Sequence, residues 1–439
     1  VNAALSSSPR RPIRELPDEL ISQIAAGEVV ERPASVVREL VDNALDAGAT
    51  QITVRLQAGG VRLISVEDDG QGILREELPI AFKRHATSKI GSLHDLENVA
   101  TMGFRGEALA AINAIADCAI LSRASGLSDA YLLDGRTGEL KPVARSTGTT
   151  VEVKELFFST PARRKFLKTD ATELAHCIEA VRRHALARPD VGFAIWHEGK
   201  LVEQWRRVDS PDNAQALEQR LADVLGADFT GRSIAVDWHS SGSGTPVRVW
   251  GRVGVPDAAR SRADQQFCYV NGRFVRDKVL THAARSAFED VLHGHRQPVY
   301  ALYLSIAPER VDVNVHPTKI EVRFRDSREV HQAVRHAVED ALAAPRAAAA
   351  STVNGQIQSP SLLPTTGVYV PKSTTAPMYS AQPAINFAAR TETGGYRVSE
   401  LGALWQPANS PKGGWASEGF AQVKEEPAQR AGDTEQSPL

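Results

Sequence analysis

The sequence predicts an α+β chain of two folded domains and a tail, and three observations carry that reading. Up to about Asp209, segments of helical and strand-like periodicity are mixed; after the loop VDSPDN at 208–213 a shorter α/β unit begins; and from residue 346 onward periodicity is lost. The expected domains are therefore 1–209, 210–345 and 346–439. Length agrees, since 439 residues accommodate roughly two or three domains of ~150 residues, and 42% hydrophobic residues can furnish their cores.

The elements follow in order. In RPASVVRELVDNALDAGAT, Pro33 presets the first helical turn, and a helix is expected to about Ala47, stopped at Gly48. Val37, Leu40, Val41, Ala44 and Leu45 share one side, while Glu39, Asn43 and Asp46 make a polar stripe on the other. That stripe is either a solvated face or a site, and it contains no Lys or Arg for the usual i, i+4 pairs. In VRLISVEDDGQGI, alternation sets Ile64, Val66 and Asp68 on one face, so an acceptor-only carboxylate continues an apolar row. Gly70 and Gly72 follow, as in a simple turn or where backbone approaches a ligand. ATMGFRGEALAAINAIA places Gly103, Phe104, Arg105 and Gly106 before a strong helix former, an arrangement that suits an anion. Thr87, Ser88 and Lys89 lie upstream in a polar run suited to a segment closing over phosphates, and Gly148, Thr149 and Thr150 lead into a strand. No P-loop and no strand-framed G-x-G-x-x-G is present.

In the second unit, NAQALEQRLADVLG is helical, SIAVDW, PVRVWGRV and VYALYLSIA read as strands, and SREVHQAVRHAVEDALAA closes with a helix. In VDVNVHPTKIEVRF, HPTK interrupts two strand-like runs and exposes Lys319. The tail at 346–439 holds nine of the 24 prolines and is expected to be a disordered linker. Three cysteines, 118, 177 and 268, are too few and too dispersed for a disulfide framework and are expected as buried thiols. Without a signal peptide or a long apolar run, a cytoplasmic location and no membrane partner are expected. Lys and Arg number 51 against 53 Asp and Glu, but 245–336 carries fifteen basic residues against ten acidic ones. Such a bias permits nucleic-acid binding and equally describes ordinary surface.

Together, QIAAGEVVERPASVVRELVDNALDAGA, EDDGQGI, RHATSKI, TMGFRGEAL and GTTVEV resemble the GHKL ATPases, the group of DNA gyrase B, Hsp90, histidine kinases and MutL. GFRGEAL, TPARRKFL and VNVHPTKIEVRF resemble, within that group, the MutL family of DNA mismatch repair proteins, over residues from about 12 to 342. The resemblance implies a GHKL-type ATPase domain, a mixed sheet layered with helices, then a smaller ribosomal-protein-S5-like transducer domain. It also implies ATP and Mg2+ as ligands. Glu39 would be the general base, Asn43 the Mg2+ ligand, and Asp68 the acceptor of the adenine amine beside Gly70 and Gly72. Thr87, Ser88, Lys89, Gly103, Phe104, Arg105 and Gly106 would form the lid, Thr149 would support Asp68, and Lys319 would reach the γ-phosphate. Asp46 would lie near the metal or a hydroxyl network, and Asp42 would be partly structural.

The implied activity is that of a slowly hydrolysing switch that dimerises on ATP binding, binds DNA and couples a MutS-type mismatch recognition protein to a downstream endonuclease and helicase. Arg163, Arg164, Lys165, Arg252, Arg260, Arg262, Arg273 and Arg276 are the candidate DNA-phosphate contacts, with solvated surface or ion pairing as their alternative. A nucleotide-sensing scaffold without useful turnover, or a gyrase-type topoisomerase subunit, are the other readings. The family's D-Q-H-A-x-x-E-x-x-x-x-E nuclease motif is not found in the sequence, so nuclease activity is not expected and the chain is expected to be an N-terminal piece of a longer protein.

Overall fold

A computed structural model describes residues 14–91, 102–103, 106–240, 246–292, 295–313, 315 and 320–354. The first helices are α1 (Asp18–Val29) and α2 (Pro33–Asp46). A hairpin follows, β1 (Gln51–Gln57) and β2 (Leu63–Asp68), then the short α3 (Leu78–Ala81) and α4 (Ala108–Ile115). Four strands come next: β3 (Asp117–Arg123), β4 (Ala130–Asp134), β5 (Leu140–Val143) and β6 (Gly148–Lys154). The one-turn α5 (Pro161–Arg164) leads to α6 (Asp170–Ala187) and the hairpin β7 (Gly192–His197) and β8 (Lys200–Trp205).

Among the described residues these eight strands form one sheet, ordered β5-β4-β3-β6-β2-β1-β7-β8. Neighbours are antiparallel except β1 and β7, which the crossover through the rest of the domain makes parallel. Strand alternation sends Ile52, Val54, Leu56, Ile64 and Val66 to one face, where Val36, Val37, Leu40, Val41, Ala44 and Leu45 of α2 meet them. Ala26 of α1, Ile112 and Ile115 of α4, and Cys177 and Val181 of α6 complete that core. The helices thus cover one face of the sheet, a two-layer α+β architecture.

The second unit begins with α7 (Asn213–Leu225), capped by the Asp212 carboxylate on the Ala214 amide at 2.8 Å, and α8 (Ala227–Gly231). Its strands are β9 (Ser233–His239), β10 (Arg248–Gly254), β11 (Gln266–Val270) and β12 (Arg273–Val275), with α9 (Lys278–Ser286) and β13 (Tyr300–Ser305) after them. The five strands are ordered β12-β11-β13-β10-β9, with β11 and β13 parallel. A small ribbon, β14 (Val311–Asp312) with β15 (Arg323–Phe324), flanks the expected HPTK loop, and α10 (Ser327–Asn354) closes the described chain. One face of the second sheet packs on α9 and α10. Its other face, with Phe267, Tyr269 and Tyr303, meets Leu217 and Leu221 of α7 and Leu186 of α6.

Helix α6 therefore belongs to both cores. The last carbonyls of a helix lack a full set of partners within it, and the second unit adds donors over its final two turns: Tyr269 Oη to Arg183 O at 2.8 Å, Tyr303 Oη to Leu186 O at 2.7 Å and Arg220 Nη1 to Ala185 O at 3.2 Å. Arg220, fully buried, also donates to Val191 O and Arg206 O at 2.8 and 2.7 Å.

One difference from the sequence reading concerns an element. The last helix continues through Pro345 to Asn354, beyond the expected start of the tail at 346, because PRAAAA is rich in the strongest helix former. The polar stripe of α2, left open by the sequence, is not a solvated face: Glu39 is buried, at 7% exposure, Asn43 and Asp46 are half-buried, and Asp42 beside them is buried at 4%. All three cysteines are buried thiols, pushed up in pKa by burial. Among the described residues no helix is long and apolar enough to cross a membrane.

Candidate functional site

The second half of α2 is where the expected site residues converge. Lys89 Nζ donates to Asn43 Oδ1 at 2.7 Å and to Asp46 Oδ2 at 2.6 Å, and the amides of Met102 and Gly103 donate to the two oxygens of Asp46 at 2.9 and 3.0 Å. Three segments far apart in sequence, the helix, the RHATSK run and the glycine loop, are thereby joined. Thr87 Oγ1 accepts from the Lys89 amide at 3.1 Å, and Ser88 is exposed. Gly106 has φ +62 and abuts Ala86, where a Cβ would come within 2.5 Å of the Ala86 carbonyl oxygen, so the glycine loop and the Lys89 segment pack backbone to backbone. Glu39, one turn before Asn43, forms an ion pair with Arg38 at 3.0 Å. The next residue on the buried side, Asp42, faces His184 of α6 at 3.6 Å, and burial holds that imidazole below its ordinary pKa.

Asp68 ends β2 on the apolar face, as alternation implies. Its Oδ1 accepts from the amides of Gly70 at 2.9 Å and Thr149 at 3.2 Å. Burial pushes its carboxyl up to about 6, against the pull of those two amides and of Arg145. Asp69 goes the other way: although burial raises it, the hydroxyl of Thr50 and the amides of Gln51 and Thr50 hold it below the carboxylate range. The DDGQG carboxylates thus divide into one that locks the turn and one whose Oδ2 accepts no hydrogen bond among the described residues.

Where the reasons differ from the sequence reading, close chain packing is the cause. Gly70 lies against Ala47, and a Cβ at Gly72 would fall 2.1 Å from Arg123 O, so both glycines answer to neighbouring backbone. Thr149 supports Asp68 through its amide, while its hydroxyl lies 3.0 Å from Ser122 Oγ. Arg145 is a residue the motifs did not single out: it donates to Asp68 O and to Thr150 Oγ1, each within about 3 Å, beneath the carboxylate. Phe104, Arg105 and Lys319 lie outside the described residues.

The basic candidates separate by what they touch. Arg252 directs its guanidinium inward, to Ser233 Oγ at 2.8 Å, Ser233 O at 2.8 Å, Thr230 O at 3.0 Å and Glu218 at 2.9 Å. Arg163 donates to Val30 O at 3.0 Å, tying α5 to the end of α1, and Arg273 donates to Met102 O at 3.1 Å. Arg164, paired with Glu155 at 3.3 Å, is exposed, as are Lys165, Arg260, Arg262 and Arg276. Beside Lys165, Phe166 is 84% exposed, an apolar group that the charge pattern had hidden.

The two acceptors of Lys89, Asn43 Oδ1 and Asp46 Oδ2, are oxygens, the hard ligand type that would suit Mg2+. Among the described residues no cluster of three or more His, Cys, Asp or Glu side chains could hold a metal unaided.

Comparison with known proteins agrees with this architecture. Residues 31–150 match the family of histidine kinase-, DNA gyrase B- and HSP90-like ATPases, and 221–343 match the DNA mismatch repair protein, C-terminal domain. A crystal structure of the N-terminal domain of a DNA repair protein superposes with a TM-score of 0.63 at 26% identity, covering 75% of this chain and 99% of that one. The DNA mismatch repair protein MutL of Ralstonia nicotianae is 58% identical over 76% of this chain, which spans 51% of that protein. The MutL of Herminiimonas arsenicoxydans is 50% identical over 88% of the chain, which spans 63% of it. For the MutL of Janthinobacterium the identity is 48%, and the match extends over 98% of this chain and 68% of the relative's length. On that similarity the chain belongs to the MutL family of DNA mismatch repair proteins.

Proposed function

We propose that the chain is the ATP-binding and slowly ATP-hydrolysing part of a cytoplasmic mismatch repair switch. The observation that supports this reading is the convergence at the end of α2 of Asn43, Asp46, Lys89 and the glycine loop, with Asp68 seated through Gly70 against Ala47 of the same helix end. Glu39, buried one turn earlier, is the general base that orients and polarises the attacking water. Asn43 holds Mg2+, which when bound neutralises phosphate charge. Asp68 accepts the adenine amine through Oδ2, because Oδ1 is already held by two amides. Gly70 and Gly72 keep the pocket wall open, and Thr149 supports that carboxylate through its amide. Thr87, Ser88, Lys89, Gly103, Phe104, Arg105 and Gly106 close over the phosphates, and Lys319 of the second unit approaches the γ-phosphate.

Phosphoryl transfer to water asks for positioning and charge neutralisation more than covalent chemistry, and these residues supply both. Nucleotide binding then orders the lid and brings two N-terminal regions together, with DNA along Arg164, Lys165, Arg260, Arg262 and Arg276. A MutS-type protein upstream and an endonuclease and a helicase downstream are the partners. A single-turnover assay tests the base: Glu39→Ala binds ATP and hardly hydrolyses it, whereas undiminished hydrolysis would sink the assignment.

A further inference from the structure

The Met102–Gly103 peptide of the glycine loop is gripped from two domains. On one side its Gly103 amide donates to Asp46 Oδ2 in α2 at 3.0 Å, and the Met102 amide just before it donates to Asp46 Oδ1 at 2.9 Å. On the other, Met102 O accepts from Arg273 Nη2 at 3.1 Å. An anion at the N–H end and a cation at the C=O end polarise the same peptide in the same sense, so each bond strengthens the other. Asp46 also binds Lys89 Nζ at 2.6 Å, and Lys89 reaches Asn43 Oδ1 at 2.7 Å. A continuous line of bonds therefore runs from Arg273 to the side chain proposed to hold Mg2+.

Arg273 is well anchored for this task. It opens β12 just after the turn Asn271–Gly272, whose φ angles of +49 and +80 fit the tight hairpin between β11 and β12. Asn271 fixes that turn to the sheet, donating from Nδ2 to Ile306 O at 2.8 Å and accepting at Oδ1 from the Ile306 amide at 3.0 Å. A Cβ on Gly272 would lie 3.9 Å from Met102 Cε, so the turn runs close beside the Met102 side chain. Arg273 is half-buried, unlike the exposed Arg276 three residues later.

We propose that Arg273 is a positioning residue for the glycine loop, through which the second domain sets nucleotide affinity, and that it is not a DNA-phosphate contact. This rests on the nucleotide-site reading above. Without the guanidinium the loop loses its charged hold on the second domain, and nucleotide must supply the missing order on binding.

The test uses the full chain and its Arg273→Ala and Arg273→Lys variants, with three readouts. Hydrogen exchange at the Met102 and Gly103 amides, measured without nucleotide, speeds up in Arg273→Ala and is slowed again in Arg273→Lys, which keeps a cationic donor. Affinity for a non-hydrolysable ATP analogue with Mg2+ falls about ten- to a hundredfold in Arg273→Ala, the effect of one hydrogen bond from a charged donor. Duplex DNA affinity, titrated against salt without nucleotide, keeps the wild-type slope. Unchanged amide exchange in Arg273→Ala overturns the clamp, and so does a salt slope reduced by about one charge with nucleotide affinity intact. Failure of the wild-type chain to bind the analogue overturns the nucleotide reading instead, while the exchange measurement still decides the clamp.

Discussion

Tyr303 Oη donates to the carbonyl oxygen of Leu186 at 2.7 Å, so a strand of the second sheet closes the end of a helix that belongs to the first. The tyrosine ring is also stacked between Tyr269 and Trp250, at centroid distances of 4.8 and 4.6 Å. Tyr303→Phe keeps the stack and orphans one buried carbonyl. It is expected to cost about 1–2 kcal/mol, seen as a lower urea midpoint with an unchanged m-value.

Arg220 sits on the same seam, and its loss is more severe. Replacement by Met removes a charged donor from the carbonyls of Ala185, Val191 and Arg206 at once. A loss of about 3–5 kcal/mol is expected, and calorimetry should show the two domains unfolding less cooperatively than in the wild type.

Asp68 carries the pH dependence. Its carboxyl is raised to about 6 by burial, so the ionised acceptor is depleted as pH falls below that value. Affinity for the ATP analogue should weaken about tenfold per pH unit below pH 6, and a titration between pH 5 and 8 reads it directly.

The same shift makes Asp68 a cost to the fold. Because the folded pKa lies above the ordinary value of 3.8, its contribution is most favourable below that value and is lost as pH rises through about 6. Asp68→Asn keeps an oxygen for the Gly70 and Thr149 amides but presents an amine to adenine. It is expected to be more stable than wild type at pH 7 by about 1–3 kcal/mol, with the gap narrowing toward pH 4, and to bind nucleotide at least about tenfold more weakly. Chemical denaturation at the two pH values, with calorimetric binding at pH 7, checks both halves.

The basic residues give a contrast in kind. Lys165→Ala removes an exposed charge and should lower the salt slope of DNA binding by about one with the melting temperature unchanged. Arg252→Ala breaks an internal network with Ser233, Thr230 and Glu218 and should lower thermal stability while leaving that slope alone. A reduced slope in Arg252→Ala would return it to the DNA surface.

Much of the architecture was legible because it is periodic. The apolar face of α2, the row Ile64, Val66, Asp68 and the two α/β units follow from spacing alone, and the motif set pointed to the family. The network around Asp46 was not legible, since Lys89 and Met102 lie 43 and 56 residues away and only the fold brings their donors to one carboxylate. Arg252 and Arg273 read as surface charge because a sequence does not say which way a guanidinium turns. At Gly70 and Gly72 the sequence suggests backbone close to a ligand, whereas the close neighbours in the fold are Ala47 and the Arg123 backbone, which no local pattern shows. The helix through Pro345 was missed because proline outweighed the alanines around it.

The shared helix α6 also bears on how such chains can be divided and recombined. A fragment ended in the loop after Trp205 would carry Leu186 without Phe267, Tyr269 and Tyr303 to cover it, and would leave three helix-end carbonyls facing solvent or aggregation partners. The ATPase unit is therefore a poor expression module by itself. Chimaeras between relatives should place their junction beyond α10, or exchange α6, α7 and the facing strands as one inherited block.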